Sequence, residues 1–116
     1  SSGCSFVLVL SEAANVPSYA PGVCDTTYSC QAGIYVVINV DRWNSATPSW
    51  NGGGGSLRDY RHMVVNHEVG HRLGHRDNEQ VCPAAGALAP LMQQQSISLR
   101  GCAVNPWPLD SELWVR

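Results

Sequence analysis

The chain of 116 residues contains no lysine; all seven basic residues are arginine. Without lysine no G-K-[ST] can complete a phosphate-binding loop, so the four glycines at 52–55 do not read as one. They read as a flexible connector, or, with Trp43 and Trp50, as one rim of a cleft. Long apolar runs are missing as well. Nothing approaches the roughly 20 residues of a membrane helix. Residues 6–10 are too few for a signal-peptide core and lack a basic flank. Charge is sparse, at 14% of residues and a net −2, which leaves no basic surface for a nucleic acid. No C-x-x-C pair occurs, so the cysteines are not expected to hold a metal. No internal repeat is visible.

With 44% hydrophobic residues the chain has enough apolar material for one small globular domain spanning residues 1–116. Cysteines stand at 4, 24, 30, 82 and 102. In a small turn-rich domain they point to disulfides and an oxidising, extracellular setting. A Cys24–Cys30 bridge would close a short loop and a Cys82–Cys102 bridge a longer one. Spacing alone leaves the pairing open, and Cys4 is left over. The chain fits the mature part of a secreted protein, or a domain of a longer one.

Residues 6–10, Phe-Val-Leu-Val-Leu, read as a buried strand. A helical turn from Ser11 is expected to stop at Pro17. Residues 27–30 form a second expected strand. A turn at residues 31–33 leads into residues 34–40, dense in β-branched residues and the strongest strand signal. Residues 41–55 read as irregular. Ser56 is a good N-cap, with Asp59 three residues on, and a helix is expected over residues 57–73. Leu57, Tyr60, Val64, His67 and His71 recur along it at spacings of 3 and 4, so they share an inward stripe; Asn66 and the first-turn arginines lie outside it. Residues 75–110 read as loop, apart from a strand or turn at 96–100. A last helical turn is expected from Ser111. The class is α+β.

The helix ends in His67-Glu68-Val69-Gly70-His71-Arg72-Leu73-Gly74-His75-Arg76-Asp77. Residues i and i+4 of a helix lie on one face, so His67 and His71 can offer two imidazoles to one zinc ion. Glu68 is beside the metal rather than on it, in place for a general base. Gly74 suits a helix end, because glycine takes the left-handed conformation at little cost. The chain can then return Asp77 as third ligand, leaving an open position as catalytic zinc sites do. The alternative third ligand is His75, at i+4 from His71, which requires the helix to continue past Gly74. A chance H-E-x-x-H occurs in on the order of one chain this size in a few hundred.

H-E-x-x-H-x-x-G-x-x-D followed by Met92 resembles the metzincin clan of zinc peptidases. The resemblance implies a minimal metzincin-like zincin: a small twisted sheet packed on an active-site helix within residues 1–74, then an irregular part, 75–116, with a Met-turn. It implies that Met92 is an apolar floor beneath the ligands. A closer resemblance covers nearly the whole chain. Ser-Cys-Gln-Ala-Gly (29–33), Val-Ile-Asn-Val-Asp-Arg-Trp (37–43), Asp-Tyr-Arg-His-Met-Val-Val-Asn-His-Glu-Val-Gly-His (59–71), Ala-Pro-Leu-Met-Gln-Gln-Gln (89–95) and Gly-Cys-Ala-Val-Asn-Pro-Trp-Pro (101–108) resemble the actinobacterial DUF3152 proteins, which are extracellular and of unassigned function. Those proteins usually carry histidine where this chain has Asp77; an aspartate there resembles the snapalysin family of secreted zinc endopeptidases.

The expectation is a secreted, monomeric zinc metallo-endopeptidase acting on a protein or peptide, with no nucleic-acid or membrane partner. His67, His71 and Asp77 hold Zn2+ and Glu68 is catalytic. Tyr60 and Tyr35 are candidate helpers for the oxyanion, and an extended substrate is expected to pair with the strand at 34–40. The alternatives are a zinc amidase acting on cell-wall peptides and a non-catalytic module braced by zinc.

Overall fold

Residues 35–39 are the centre of the molecule, because β-branched side chains on both faces of one strand can be buried on both. A computed structural model describes residues 6–115; Cys4 and the final arginine lie outside the described residues. Strands β1 (Val7–Ser11), β2 (Cys30–Ala32) and β3 (Tyr35–Asn39) form a mixed sheet in the order β1-β3-β2. β1 is parallel to β3, with Val7 opposite Tyr35, and β2 is antiparallel to it, with Ala32 opposite Tyr35. Gly33 and Ile34 make the hairpin turn, with Gly33 at φ +59°. The second strand thus covers Cys30–Ala32 rather than residues 27–30, and residues 31 and 32, expected in the turn, belong to it. Cys24 is bonded to Cys30 and Cys82 to Cys102.

Alternation along β3 builds two cores. Val36 and Ile38 join Trp50, Tyr60, Met63, Val64, Leu91 and Met92, whereas Val37 points the other way onto Val16 and Cys24. Val16 sits in a 3-10 helix, Ala13–Tyr19, that runs through Pro17 instead of stopping there. A 3-10 turn tolerates the proline because a short helix has few internal N–H groups to lose. β1 departs further from expectation. It is an edge strand, not a buried one, and Leu8 and Leu10 are 55% and 57% exposed. An apolar run signals a strand but not its place in a sheet, and among the described residues one edge of β1 has no partner.

Residues 41–55 are not irregular. They form two short helices, α1 (Val40–Ser45) and α2 (Pro48–Gly52). The caps explain both. The Asn39 side chain accepts from the Asp41 and Arg42 amides, and the Thr47 hydroxyl accepts from the Trp50 amide with Pro48 at the first helical turn. Trp50 is wholly buried, so it is no cleft rim, and its indole N–H donates to the Ser56 carbonyl at 2.9 Å. Two of the glycines there, Gly53 and Gly55, are close-contact residues rather than a loose connector, whereas Gly52 and Gly54 face open space. A Cβ at Gly55 would lie 2.3 Å from the Trp50 indole, and one at Gly53 would lie 2.3 Å from Leu99.

Helix α3 (Leu57–Arg72) follows, and the Ser56 hydroxyl caps it by accepting from the Asp59 amide. Its buried side includes Tyr60, Met63, Val64, His67 and Glu68. Asn66 is not outside as expected; it is half-buried and donates to the Pro106 carbonyl at 2.9 Å. Gly74, at φ +105°, turns the chain off the helix. Beyond it, residues 75–115 hold little regular structure besides a 3-10 turn, Asp110–Glu112. Their backbone is satisfied by buried amide side chains: Gln95 bonds the Pro90 and Asn105 backbones, and Asn105 bonds those of Ala89 and Trp107. Among the described residues no helix is long and apolar enough to cross a membrane.

Candidate metal centre

The i, i+4 spacing on α3 puts the His67 and His71 rings edge to face, 4.8 Å between centroids. Each ring is oriented from behind. His67 Nδ1 lies 2.9 Å from the Leu91 carbonyl and His71 Nδ1 lies 3.0 Å from the His75 carbonyl. A carbonyl only accepts, so both Nδ1 atoms carry the proton and both Nε2 atoms face forward. They converge on one oxygen: Asp77 Oδ1 is 2.9 Å from His67 Nε2 and 3.0 Å from His71 Nε2. Because Gly74 turns the chain, Asp77 returns to the ring nitrogens, as its spacing suggested.

Two inward imidazole nitrogens and a carboxylate, with their donor atoms within 4.8 Å of one another, form a group that could hold a metal ion. The fit rests on chemistry as well as distance. Fixing Nδ1–H on a carbonyl selects the tautomer whose Nε2 lone pair can bind a cation. Burial pushes the His71 pKa down, but the hydrogen bond and charge of Asp77, with Glu68 nearby, outweigh it and raise the value to about 9. His67 is raised for the same reasons despite its burial. Burial would raise Asp77, but the two histidines hold it well below the usual carboxylate range.

His75 is not part of the group. The helix ends before it, and its buried ring turns away. Nδ1 bonds to Glu79, Nε2 lies 2.6 Å from the Trp114 carbonyl, and the ring stacks on the Trp114 indole at 3.7 Å. Glu68 stands beside the group without joining it. Its Oε1 is 3.9 Å from His71 Nε2, it is 6% exposed, and burial raises its pKa against the pull of the two histidines.

The group lies in a cleft of about 380 Å³. One wall comes from Cys30 and Gln31 of β2, another from Gln94, Ser96 and Ile97, and the floor from Met63, Val64 and the metal group. β3 cannot pair with an added strand, because β1 and β2 occupy both its edges; among the described residues β2, whose Cys30 and Gln31 line the cleft, has one edge without a partner. Tyr35 does not line the cleft, and packs its ring 5.4 Å from Tyr19. Tyr60 is buried behind the wall and reaches the cleft only through Ser96, its hydroxyl 2.9 Å from Ser96 Oγ. Met92 packs against Gly70, where a Cβ would lie 2.5 Å from its sulfur, so the glycine lets Met92 come close to α3. Sequence reasoning missed the Leu91 and His75 carbonyls and Ser96. Only the polar run after Met92 hinted that this segment is built to bond rather than to pack.

A family model described as a protein of unknown function, DUF3152, matches residues 6–112. No curated protein and no solved structure matches the chain. A match over nearly the whole chain includes the sheet, α3, the metal group and the segment behind it, and on that ground the chain belongs to the DUF3152 family.

Proposed function

We propose that this protein is a secreted, metzincin-like zinc endopeptidase. The observation that carries the reading is the combination of His67, His71 and Asp77 at one point with a buried general-base candidate, Glu68, 3.9 Å from His71 Nε2 at an open cleft. A site that only braced a fold would need no such base. Its ligands would also close the coordination sphere rather than face a cleft.

His67, His71 and Asp77 would hold the zinc. Bound there, zinc supplies Lewis acidity, which activates water and polarises the scissile carbonyl. Glu68 takes a proton from the attacking water and delivers it to the leaving amine. Its burial favours this, since a carboxylate raised above its ordinary range is a better proton carrier near neutral pH. An extended peptide would lie along the free edge of β2, bonding to the backbone around Cys30 and Gln31. Met92 is the apolar floor of a Met-turn, filling space beneath the ligands without binding metal. The two disulfides fit an extracellular location.

Glu68→Gln tests the reading. Hydrolysis of casein or of a peptide library should fall by roughly 10²–10⁴-fold, with one zinc per chain retained. Undiminished turnover would remove Glu68 from the mechanism. Cleavage of peptidoglycan fragments but not of peptides would move the assignment to a cell-wall amidase. Unfolding on chelation, with no hydrolysis of either, would leave a zinc-braced module.

A further inference from the structure

The rear support of the two histidines traces to one place. The Leu91 carbonyl that accepts from His67 belongs to the same peptide unit as the Met92 N–H, and that N–H donates to Glu112 Oε2 at 2.9 Å. Glu112 Oε1 accepts from the Leu91 N–H at 2.8 Å and from the Leu109 N–H at 3.0 Å. Glu112 is thus a carboxylate, 4% exposed, held by three backbone N–H groups. Burying a charge is costly, and the three N–H donors offset that cost while Glu112 satisfies them. The charge has a specific effect here. A carboxylate pulling on one end of a peptide unit makes the carbonyl at its other end a stronger acceptor. That carbonyl grips His67 Nδ1–H, which orients the ring and raises the basicity of Nε2.

The second histidine is served from the same segment. His71 donates to the His75 carbonyl, and His75 is fixed by its bond to the Trp114 carbonyl and by stacking on the Trp114 ring. Residues 109–115, more than 30 positions beyond the metal motif in sequence, therefore stand behind both imidazoles.

We infer that residues 109–115 are a positioning segment for the metal group, with Glu112 acting on His67 through the Leu91–Met92 peptide and Trp114 acting on His71 through His75. The inference rests on the metal-binding part of the proposed function and not on peptide hydrolysis. It requires reciprocity: if docking of this segment strengthens metal binding, the metal must strengthen the docking.

The test is the zinc affinity of the full chain, measured by competition with a chromophoric chelator. Glu112→Gln replaces one acceptor oxygen by a donor and should weaken zinc binding roughly ten- to hundredfold, the usual effect of losing an outer partner of a metal-bound histidine. Trp114→Ala should weaken it by a smaller factor. Val16→Ala, in the second core away from the metal group, is the control for general destabilisation and should leave affinity unchanged. Wild-type affinity in Glu112→Gln, or an equal loss in Val16→Ala, overturns the inference. Should Glu112→Gln fail to fold, amide exchange of the wild type decides. Zinc should slow exchange at Leu91, Met92 and Leu109, and unchanged rates at these amides overturn the inference. A wild type that binds zinc and passes these tests yet cleaves no substrate leaves the inference standing and removes the peptidase reading. A wild type that binds no zinc overturns both.

Discussion

Residues 6–74 and 75–115 meet at the metal group, and they satisfy their backbones by different means. In the first region strand ladders and helix bonds do it, and β3, α2 and α3 enclose the larger core. In the second, the side chains of Gln93, Gln95, Asn105 and Glu112, all buried, bond to backbone groups that no ladder reaches. The first region supplies His67 and His71, the second Asp77 and the carbonyls that aim the two rings. Regular structure fixes a direction over several residues at once. An irregular segment can place a single carbonyl or carboxylate where needed, but each buried polar group must then find its own partner.

That contrast is open to breakage. The largest effect is expected at Gln95. Gln95→Leu strips the Pro90 and Asn105 carbonyls and the Asn105 N–H of their buried partner. At about 1–3 kcal/mol for each unsatisfied group, the loss should exceed about 3 kcal/mol in urea denaturation. Arg58→Ala, on the exposed side of α3, should stay within about 0.5 kcal/mol. Equal losses at the two positions would dissolve the distinction.

A smaller difference is expected between the bridges. Cys82–Cys102 spans 20 residues of the irregular region and Cys24–Cys30 spans 6. Replacing both cysteines of a bridge by serine should cost about 3 kcal/mol for the longer loop and about 2 kcal/mol for the shorter, read from denaturation midpoints. The reverse order would mean that strain or residual structure, not loop length, governs the second region.

The seam between the regions should give the smallest signal, a pH dependence of the metal-free chain. Against the effect of burial, His71 is raised from 6.5 to about 9 by Asp77 across the seam, with Glu68 and the His75 carbonyl adding to the shift. A raised folded-state value stabilises fully below the unfolded value, and that stabilisation is lost as pH rises through the folded one. The melting temperature of chelator-treated protein should therefore decline between pH 6.5 and about 9, and Asp77→Asn should flatten the decline. A flat profile in the wild type would mean that the ion cluster does not join the regions.

The two regions also differ in how far they could be read from sequence. The Ser56 cap, the 3-and-4 spacing and the central strand were legible, because periodicity, capping and β-branched density are local signals. His67, His71 and Asp77 were legible for the same reason: helix geometry and one glycine bring them together within 11 residues. Helices α1 and α2 were not, since five or six residues carry no period and only Asn39 and the Thr47-Pro48 pair mark them. The edge position of β1 was not, because an apolar run does not say where in a sheet it lies. Least legible was Glu112, which reaches Leu91 and Met92 across some 20 positions through contacts that follow no repeat.

The claim on which both regions depend is that His67, His71 and Asp77 hold a metal and His75 does not. The direct measurement is zinc content and affinity by elemental analysis and chelator competition for the wild type, Asp77→Ala and His75→Ala. The account predicts one zinc per wild-type chain, retention at reduced affinity in His75→Ala, and loss of stoichiometric zinc in Asp77→Ala. Wild-type chains without metal, or zinc lost from His75→Ala but kept in Asp77→Ala, would contradict it.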